Sequence, residues 1–351
     1  MKTKLFFFLA AVSLIVNSCK NDFDVTEDWK EIPVIFGLLD QGDSVHYVKV
    51  SKAFLGDGNA IMMAGTYDSI NYPTVIDVKI NEKNNGSIIN TFSLVRDTSL
   101  GKPSGLFAYP QQVFYRLDNA SLNDNYTYEL VVTNTSTGHI CRSETRLVKN
   151  FSVTSPYPNQ QINFLIPNNG DYTVQWYSAE YGRRYNLTLR FWYTEINKIT
   201  GLVRERYKDM IFPDQISTSI AGYEIMSEVF KGKSFYTFLR AQLEPNDSLW
   251  RHVGKTASPA QQLDFIISVA GDEFATYMDV NQPVDGPLME KPYYTNIENG
   301  IGLFSSRFVN RSIYLYGRTL TSGSIDSIYA GQYTYDLNFC STVMSSPYVC
   351  Y

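Results

Sequence analysis

A rhythm of short alternating strands, each closed by a turn rich in Asn, Asp or Gly, most constrains how this chain can fold. Tyr126–Thr133 shows it most cleanly, with Tyr126, Tyr128, Leu130 and Val132 on one face. A period of two is the mark of a half-buried strand. Ser44–Ser51 repeats it, with His46, Val48 and Val50 on one side and Tyr47, Lys49 and Ser51 on the other. Asn84-Asn85-Gly86 separates Val75–Asn81 from Ile88–Val95, and Asn-Gly accepts the positive φ of a tight hairpin turn. Val34–Leu39, Gln112–Arg116 and Thr145–Val148 add shorter strand signals. Turns about 8–12 residues apart argue for a sandwich or barrel. The 26 Tyr and 21 Phe fit that class, because aromatic residues favour strands.

The chain has 351 residues. At ~100–200 residues per domain it divides into two or three units. A linker is expected at Phe151–Pro158, where Ser155-Pro156-Tyr157-Pro158 interrupts the pattern. The expected fold is mainly β: tandem β-sandwich domains over 31–150 and 151–351, with a few short helices. In the second unit Tyr172, Val174 and Trp176 alternate, as do Tyr185, Leu187, Leu189, Phe191 and Tyr193. Leu202–Tyr207 and Leu263–Val269 read as strands, and Gly300 and Gly302 lead into another. Ile313 and Leu315, then Tyr333, Tyr335, Leu337 and Phe339, suggest two more. Helical spacing is read within Gly222–Leu243, from Ile225, Met226, Val229 and Phe230, and a short helix from Asp272. The inward Trp176 and the strand rhythm resemble a fibronectin type III or immunoglobulin-like sandwich, a likeness of fold that carries no function.

The N-terminus has its own pattern. Lys2 and Lys4 precede an apolar run from Leu5 to Val16, and small residues follow. This is the layout of a secretory signal, and the run is shorter than the ~20 residues of a membrane span. Val16-Asn17-Ser18-Cys19 resembles a lipobox, which implies cleavage after residue 18 and acylation of Cys19. Residues 19–30 would then form a lipidated tether. Lys20-Asn21-Asp22, followed by Asp24, resembles the leader that sends Bacteroidetes lipoproteins to the outer face of the outer membrane. The expected location is therefore the outer membrane, lipid-anchored and facing the cell exterior.

Three further cysteines remain. Cys340 and Cys350 bracket a short C-terminal segment and either bridge or stay as thiols; an oxidising compartment permits the bridge. Cys141 reads as a small buried hydrophobe. A net charge of −5 without a basic block argues against nucleic acid. His46, His139 and His252 are far apart and show no metal-ligand spacing. There is no Gly-x-Ser-x-Gly elbow, and no Gly-Lys-Ser/Thr follows a glycine at the spacing Gly-x-x-x-x-Gly-Lys-Ser/Thr of a phosphate-binding loop. Asp57/Asn59 and Asn123/Asp124/Asn125 offer oxygen atoms, but they match no EF-hand loop and turn chemistry accounts for them. No catalytic residue, metal or cofactor is assigned.

Exposed aromatics are the better lead. Trp192 lies opposite the Leu189/Phe191 face, and Tyr314 and Tyr316 lie opposite Ile313/Leu315. Rigid aromatics of this kind anchor partners or stack on sugars. Asp43-Ser44-Val45, Asp68-Ser69-Ile70, Asp247-Ser248-Leu249 and Asp326-Ser327-Ile328 resemble Bacteroidetes O-glycosylation sites at turns, with Ser44, Ser69, Ser248 and Ser327 as acceptors. Leu263–Phe308, with Asp28-Trp29-Lys30, resembles a family of uncharacterised Bacteroidetes lipoproteins often encoded near TonB-dependent receptors. The lipobox, the acidic leader, the sandwich rhythm and the missing catalytic motif point to a non-catalytic surface lipoprotein that binds a partner protein, nutrient or glycan, and the resemblance implies a TonB-dependent receptor as a partner. A surface glycan-hydrolysing enzyme and a structural or adhesion subunit are the alternatives, since paired carboxylates become visible only in three dimensions.

Replacing Cys19 with alanine should release the protein from the membrane fraction or trap its precursor. Unchanged fractionation, together with no lipid-bearing peptide in mass spectra, would refute the anchor.

Overall fold

A computed structural model describes residues 32–53, 59–165, 170–282, 293–311 and 317–350. The signal, the tether and the pair Tyr314 and Tyr316 lie outside the described residues. The fold is mainly β, with several sheets and a few short helices.

The first half contributes β1 (Pro33–Leu39), β2 (His46–Lys52), β3 (Ile76–Asn84), β4 (Ser87–Ser93), β5 (Val95–Asp97), β6 (Phe114–Leu117), β7 (Thr127–Asn134) and β8 (Ile140–Arg146). Helices α1 (Ala60–Ala64) and α2 (Tyr67–Ile70) lie between β2 and β3. The second half opens with β9 (Val153–Ser155), β10 (Asp171–Tyr177), β11 (Gly182–Asn197), β12 (Val203–Ile211), β13 (Gln215–Ile216) and β14 (Ile225–Lys231). It continues through α3 (Gly232–Gln242), β15 (Leu249–Val253), β16 (Leu263–Gly271), α4 (Asp272–Val280), β17 (Ile301–Val309) and α5 (Ser322–Ala330).

One ten-stranded sheet runs through both halves in the order β12-β11-β16-β17-β1-β2-β6-β5, with β13 and β15 also paired to β11. A four-stranded sheet, β4-β3-β7-β8, and a three-stranded sheet, β14-β10-β9, complete the set. Val78, Ile80, Tyr128, Leu130 and Val132 from the four-stranded sheet share a core with Ile35, Val48, Val50 and Tyr115. Val174, Trp176, Met226 and Phe230 from the three-stranded sheet share another with Leu187, Leu189, Phe265 and Ile267. Helix α3 adds Phe235, Tyr236 and Leu239 to the second core, and α5 adds Ile328. The cores divide in the chain between Leu147 and Val148, yet Ile297 and Phe304 return to the first. The two units read from sequence therefore share one sheet.

Strand β17 makes that join. It pairs in parallel with β1, Ile35 opposite Gly302, and antiparallel with β16, Val269 opposite Phe308. Gly302 has φ +121°, and a Cβ there would lie 1.9 Å from the Ile35 carbonyl oxygen. No side chain fits. By contrast Gly86, at φ +83° in the Asn85-Gly86 hairpin turn, faces open space.

Several segments differ from the sequence reading. Ile225–Lys231 is a strand paired along β10, and the helix starts only at Gly232. Met226 and Phe230 enter the core while Ile225 and Val229 face out, so spacing that mimics a helical stripe is outweighed by a full ladder. Tyr333–Leu337 is a turn folded back on the end of α5, with the Tyr335 N–H donating to the Gly331 carbonyl and Leu337 to Thr334, and only Phe339 bridges to a strand, in parallel with Arg251 of β15. Its alternation is coincidental: Leu337 is buried and Tyr335 exposed. Helix α5 carries no strong apolar signal beyond Ile325 and Ile328, and Thr321 caps it by accepting from the Ser324 N–H. The expected Thr145–Val148 strand lies earlier, at Ile140–Arg146. The expected linker contains β9, an edge strand on β10, and the Pro156 and Tyr157 carbonyls accept from Arg318. Prolines mark the end of an edge strand here, not a gap between domains.

Gly302→Ala should cost at least ~3 kcal/mol, from strain and displaced backbone at the join. Gly86→Ala, strained but unobstructed, should cost about 1 kcal/mol. Urea unfolding of both variants tests this; equal losses would show that β17 can shift freely against β1.

Candidate functional site

The outward face of β1 and β2 carries the most distinctive surface chemistry. Alternation sends Ile35, Val48 and Val50 into the core and turns Phe36, Tyr47 and Lys49 outward. Phe36 is directly opposite Lys49 across the ladder. Phe114 of β6 joins the same face: its ring meets Tyr47 edge-on at 6.0 Å and lies 5.7 Å from Lys49 Nζ. From the other side Tyr277 of α4 meets Phe36 edge-on at 5.8 Å. Aromatic pairs prefer this edge-to-face geometry.

Two hollows flank the Phe36–Lys49 pair and share both residues. The first, about 350 Å³, is walled by Ile70 and Asn71 at the C-terminal end of α2 and by the loop Lys102–Gln112. That loop is held by Lys102 N–H donating to the Pro110 carbonyl and by Ala108 N–H donating to the Ala64 carbonyl. The second, about 340 Å³, is walled by Phe274 and Tyr277 of α4, with Asp43, His46 and Arg307 at its margin. Both fall in the ~300–1,000 Å³ range of small-molecule sites.

The first hollow is electrostatically one-sided. Lys49, Lys52 and Lys102 line it, and among the described residues no carboxylate does. Each ammonium instead faces a ring: Lys49 over Phe114, Lys52 over Tyr72 at 5.9 Å and Lys102 over Phe107 at 5.6 Å. Burial pushes the Lys49 ammonium below the ordinary lysine range, and the charge of Lys102 pushes the same way. In the second hollow Arg307 is already paired, 3.6 Å from Asp43.

Two other clusters of titratable groups lie elsewhere in the fold. A hollow of about 280 Å³ is lined by Glu144, Asp272 and Glu273. Each carboxylate has its own partner there: Lys83 at 2.7 Å from Glu144, Arg183 at 3.6 Å from Asp272, and the Ser305 hydroxyl donating to Glu273. His252, Cys340 and Cys350 also cluster. The two sulfurs are bonded to each other, with the imidazole 3.0 Å from Cys350 Sγ. A disulfide sulfur is not a thiolate ligand, so this group is a bridged C-terminal loop with a neighbouring imidazole. Of the two states the sequence left open, the bridge is the one present.

Trp192 is half-buried. Its Nε1–H donates to Asp264 at 2.6 Å, Lys255 Nζ lies 3.9 Å above its ring, and Tyr207 and Arg190 pack beside it. It is a braced element of the β11–β12 surface, far in the fold from the β1–β2 hollows. Cys141 is buried in the first core. Asn59 caps α1 and Asn123 accepts from the Asn125 N–H, so these oxygens serve turns. Ser44 and Ser248 are exposed at a bend and a turn. Ser69 lies in α2 and Ser327 in α5, not at turns, and the Ser327 hydroxyl donates to the Gly323 carbonyl.

Phe36, Phe107, Lys49 and Lys102 were missed by sequence reasoning. Val34–Leu39 reads as a uniformly apolar run, which conceals that Phe36 points outward. The available signal was Lys49, on the wet face of β2 between Tyr47 and Ser51. No protein-family model matches the chain, and no curated protein shows significant similarity to it.

His46 gives this region a pH dependence. Burial pushes its imidazole below the ordinary value, against the opposing pull of the Ala120 backbone and of Asp43 and Asp40. Its Nε2 has no partner. The unfolded chain therefore binds the proton more readily, and stability falls as pH drops below about 6.5, by up to ~1.4 kcal/mol per pH unit for one proton. His46→Gln should flatten that fall between pH 7 and 5 in urea titrations, leaving the share from His252, also lowered by burial. An unchanged slope would exclude His46 as a contributor.

Proposed function

We propose that the chain is a non-catalytic surface lipoprotein that binds a nutrient or glycan ligand in the groove beside Phe36 and Lys49. One observation carries this reading: adjoining hollows on a rigid sheet face, lined by aromatic rings and uncompensated ammonium groups. Sites on strands hold their side chains more firmly than sites on loops, and aromatic rings offer flat faces to ligands. The lipobox ending in Cys19 and the leader Lys20-Asn21-Asp22, with Asp24, support display at the outer membrane. The family resemblance supports a TonB-dependent receptor as partner. The fibronectin-like reading of the second unit rests on Trp176, buried between its sheets.

A second reading is favoured by the hollow of Glu144, Asp272 and Glu273: a glycan hydrolase would need two carboxyl groups about 5–10 Å apart flanking its substrate. The ion pairs and hydrogen bond that occupy those carboxylates weigh against it.

Incubating the purified protein with a panel of glycans separates the two. Saturable binding without new reducing ends is expected, and Phe36→Ala should weaken it at least about tenfold, the loss of one aromatic anchor. Turnover abolished by Glu273→Gln would replace the binding reading with the enzymatic one.

A further inference from the structure

The first hollow has a charge pattern that narrows its ligand. The chain carries a net charge of −5, yet among the described residues the ionisable groups lining this hollow are all lysines. A buried or half-buried ammonium normally finds a carboxylate, because desolvating an unpaired charge is costly. Among the described residues, none of Lys49, Lys52 and Lys102 has a carboxylate partner; each rests over an aromatic ring. A cation over a ring is attracted by the negative face of the ring quadrupole, and the ammonium keeps its N–H donors for another acceptor. Lys49 and Lys102 also repel each other across the cavity. An anion between them would relieve that repulsion and complete their hydrogen bonding.

The remaining walls define what the anion is attached to. Phe36 and Phe107 contribute aromatic rings, and Asn71, Gln111 and Gln112 supply amides. Apolar faces together with amide donors and acceptors suit a ring that is apolar on its flat sides and hydroxylated at its edge. On the other side of Phe36 and Lys49 lies the second hollow, which Tyr47, Phe114 and Tyr277 line. A trough with shared residues at its middle fits a row of rings better than one compact acid.

We propose that this trough binds an acidic oligosaccharide, with the carboxylate of a uronic acid residue held by Lys49 and Lys102 and its sugar ring packed on Phe36 and Phe107. This inference rests on the binding reading above and specifies its ligand class.

The test is calorimetric titration of the purified full chain with oligogalacturonate, and with the same oligomer fully methyl-esterified, which keeps the rings and removes the charge. The acid is expected to bind saturably. The ester should bind at least tenfold more weakly, and raising the salt should weaken the acid alone, as screening requires. Lys49→Met and Lys102→Met should each lose at least fivefold in affinity for the acid and little for the ester. Lys49→Arg, which keeps the charge, should retain most of the binding and guards against a merely misfolded variant. Ester binding as tight as acid binding, sensitive to Phe36→Ala, would overturn the acidic specificity and leave the glycan-binding reading standing. Tighter binding of oligo-glutamate or of benzoate than of oligogalacturonate would overturn the sugar assignment. Failure of every glycan, acidic or neutral, to bind would remove the binding reading itself.

Discussion

The parallel pairing of β17 with β1 is the interaction on which the rest of the fold depends. A parallel pair needs a crossover connection, and here nearly the whole chain is that connection. Ile301–Val309 enters between β1 and β16 and turns two sheets into one. Polar groups lock the seam. The Ser306 hydroxyl donates to the Arg146 carbonyl and accepts from the Val148 N–H, while the Asn296 amide holds both backbone groups of Phe304. Ser306 is fully buried, so removing its partner would leave a polar group without water or protein to satisfy it. Gly302 is the steric condition for the whole arrangement, because its missing side chain lets the Ile35 carbonyl approach.

The seam also explains what could be read from the sequence. Strands with one dry face and one wet face were legible: Thr127–Asn134, His46–Lys52 and Gly182–Asn197 alternate because each lies between a core and solvent. The Asn85-Gly86 turn was legible because its positive φ values restrict the residue types. Ile225–Lys231 was not, because what makes it a strand is its ladder with Asp171–Tyr177, distant in sequence. Local spacing carries no information about such a partner. The merging of two units into one sheet was hidden for the same reason: Phe304 belongs to a core built mostly from residues before Leu147.

The candidate site was less legible than the fold. Its aromatic and cationic groups come from β1, β2, β6, α4 and the loop Lys102–Gln112. Each is ordinary in its own segment. Lys49 reads as a solvated strand residue, Phe107 as a loop aromatic and Tyr277 as part of a helix face. Only the registers Phe36–Lys49 and Val48–Tyr115 bring the rings and ammonium groups to one surface. Trp192 drew attention because tryptophan is rare and its strand alternates. Its indole is already engaged by Asp264 and Lys255.

The position of this surface bears on the anchor. The groove is built on the first strands of the folded body, and about 14 residues separate Cys19 from Pro33, which at ~3.5 Å each reach at most roughly 50 Å. A lipid on Cys19 would therefore hold β1 and β2 near the membrane, and the Lys49 groove with them. A soluble polymer arriving from outside would meet a net negative protein with three lysines gathered at this hollow. Long-range steering by the whole molecule would then repel an acidic polymer weakly, while short-range contact at Lys49 and Lys102 would hold it. Fields beyond ~8 Å are screened at physiological salt, so the local lysines decide the encounter and the net charge does not. The absence of a carboxylate among the described residues lining this hollow is what makes that local term decisive: a single acid placed between Lys49 and Lys102 would satisfy both ammonium groups internally and close the site to any anionic ligand.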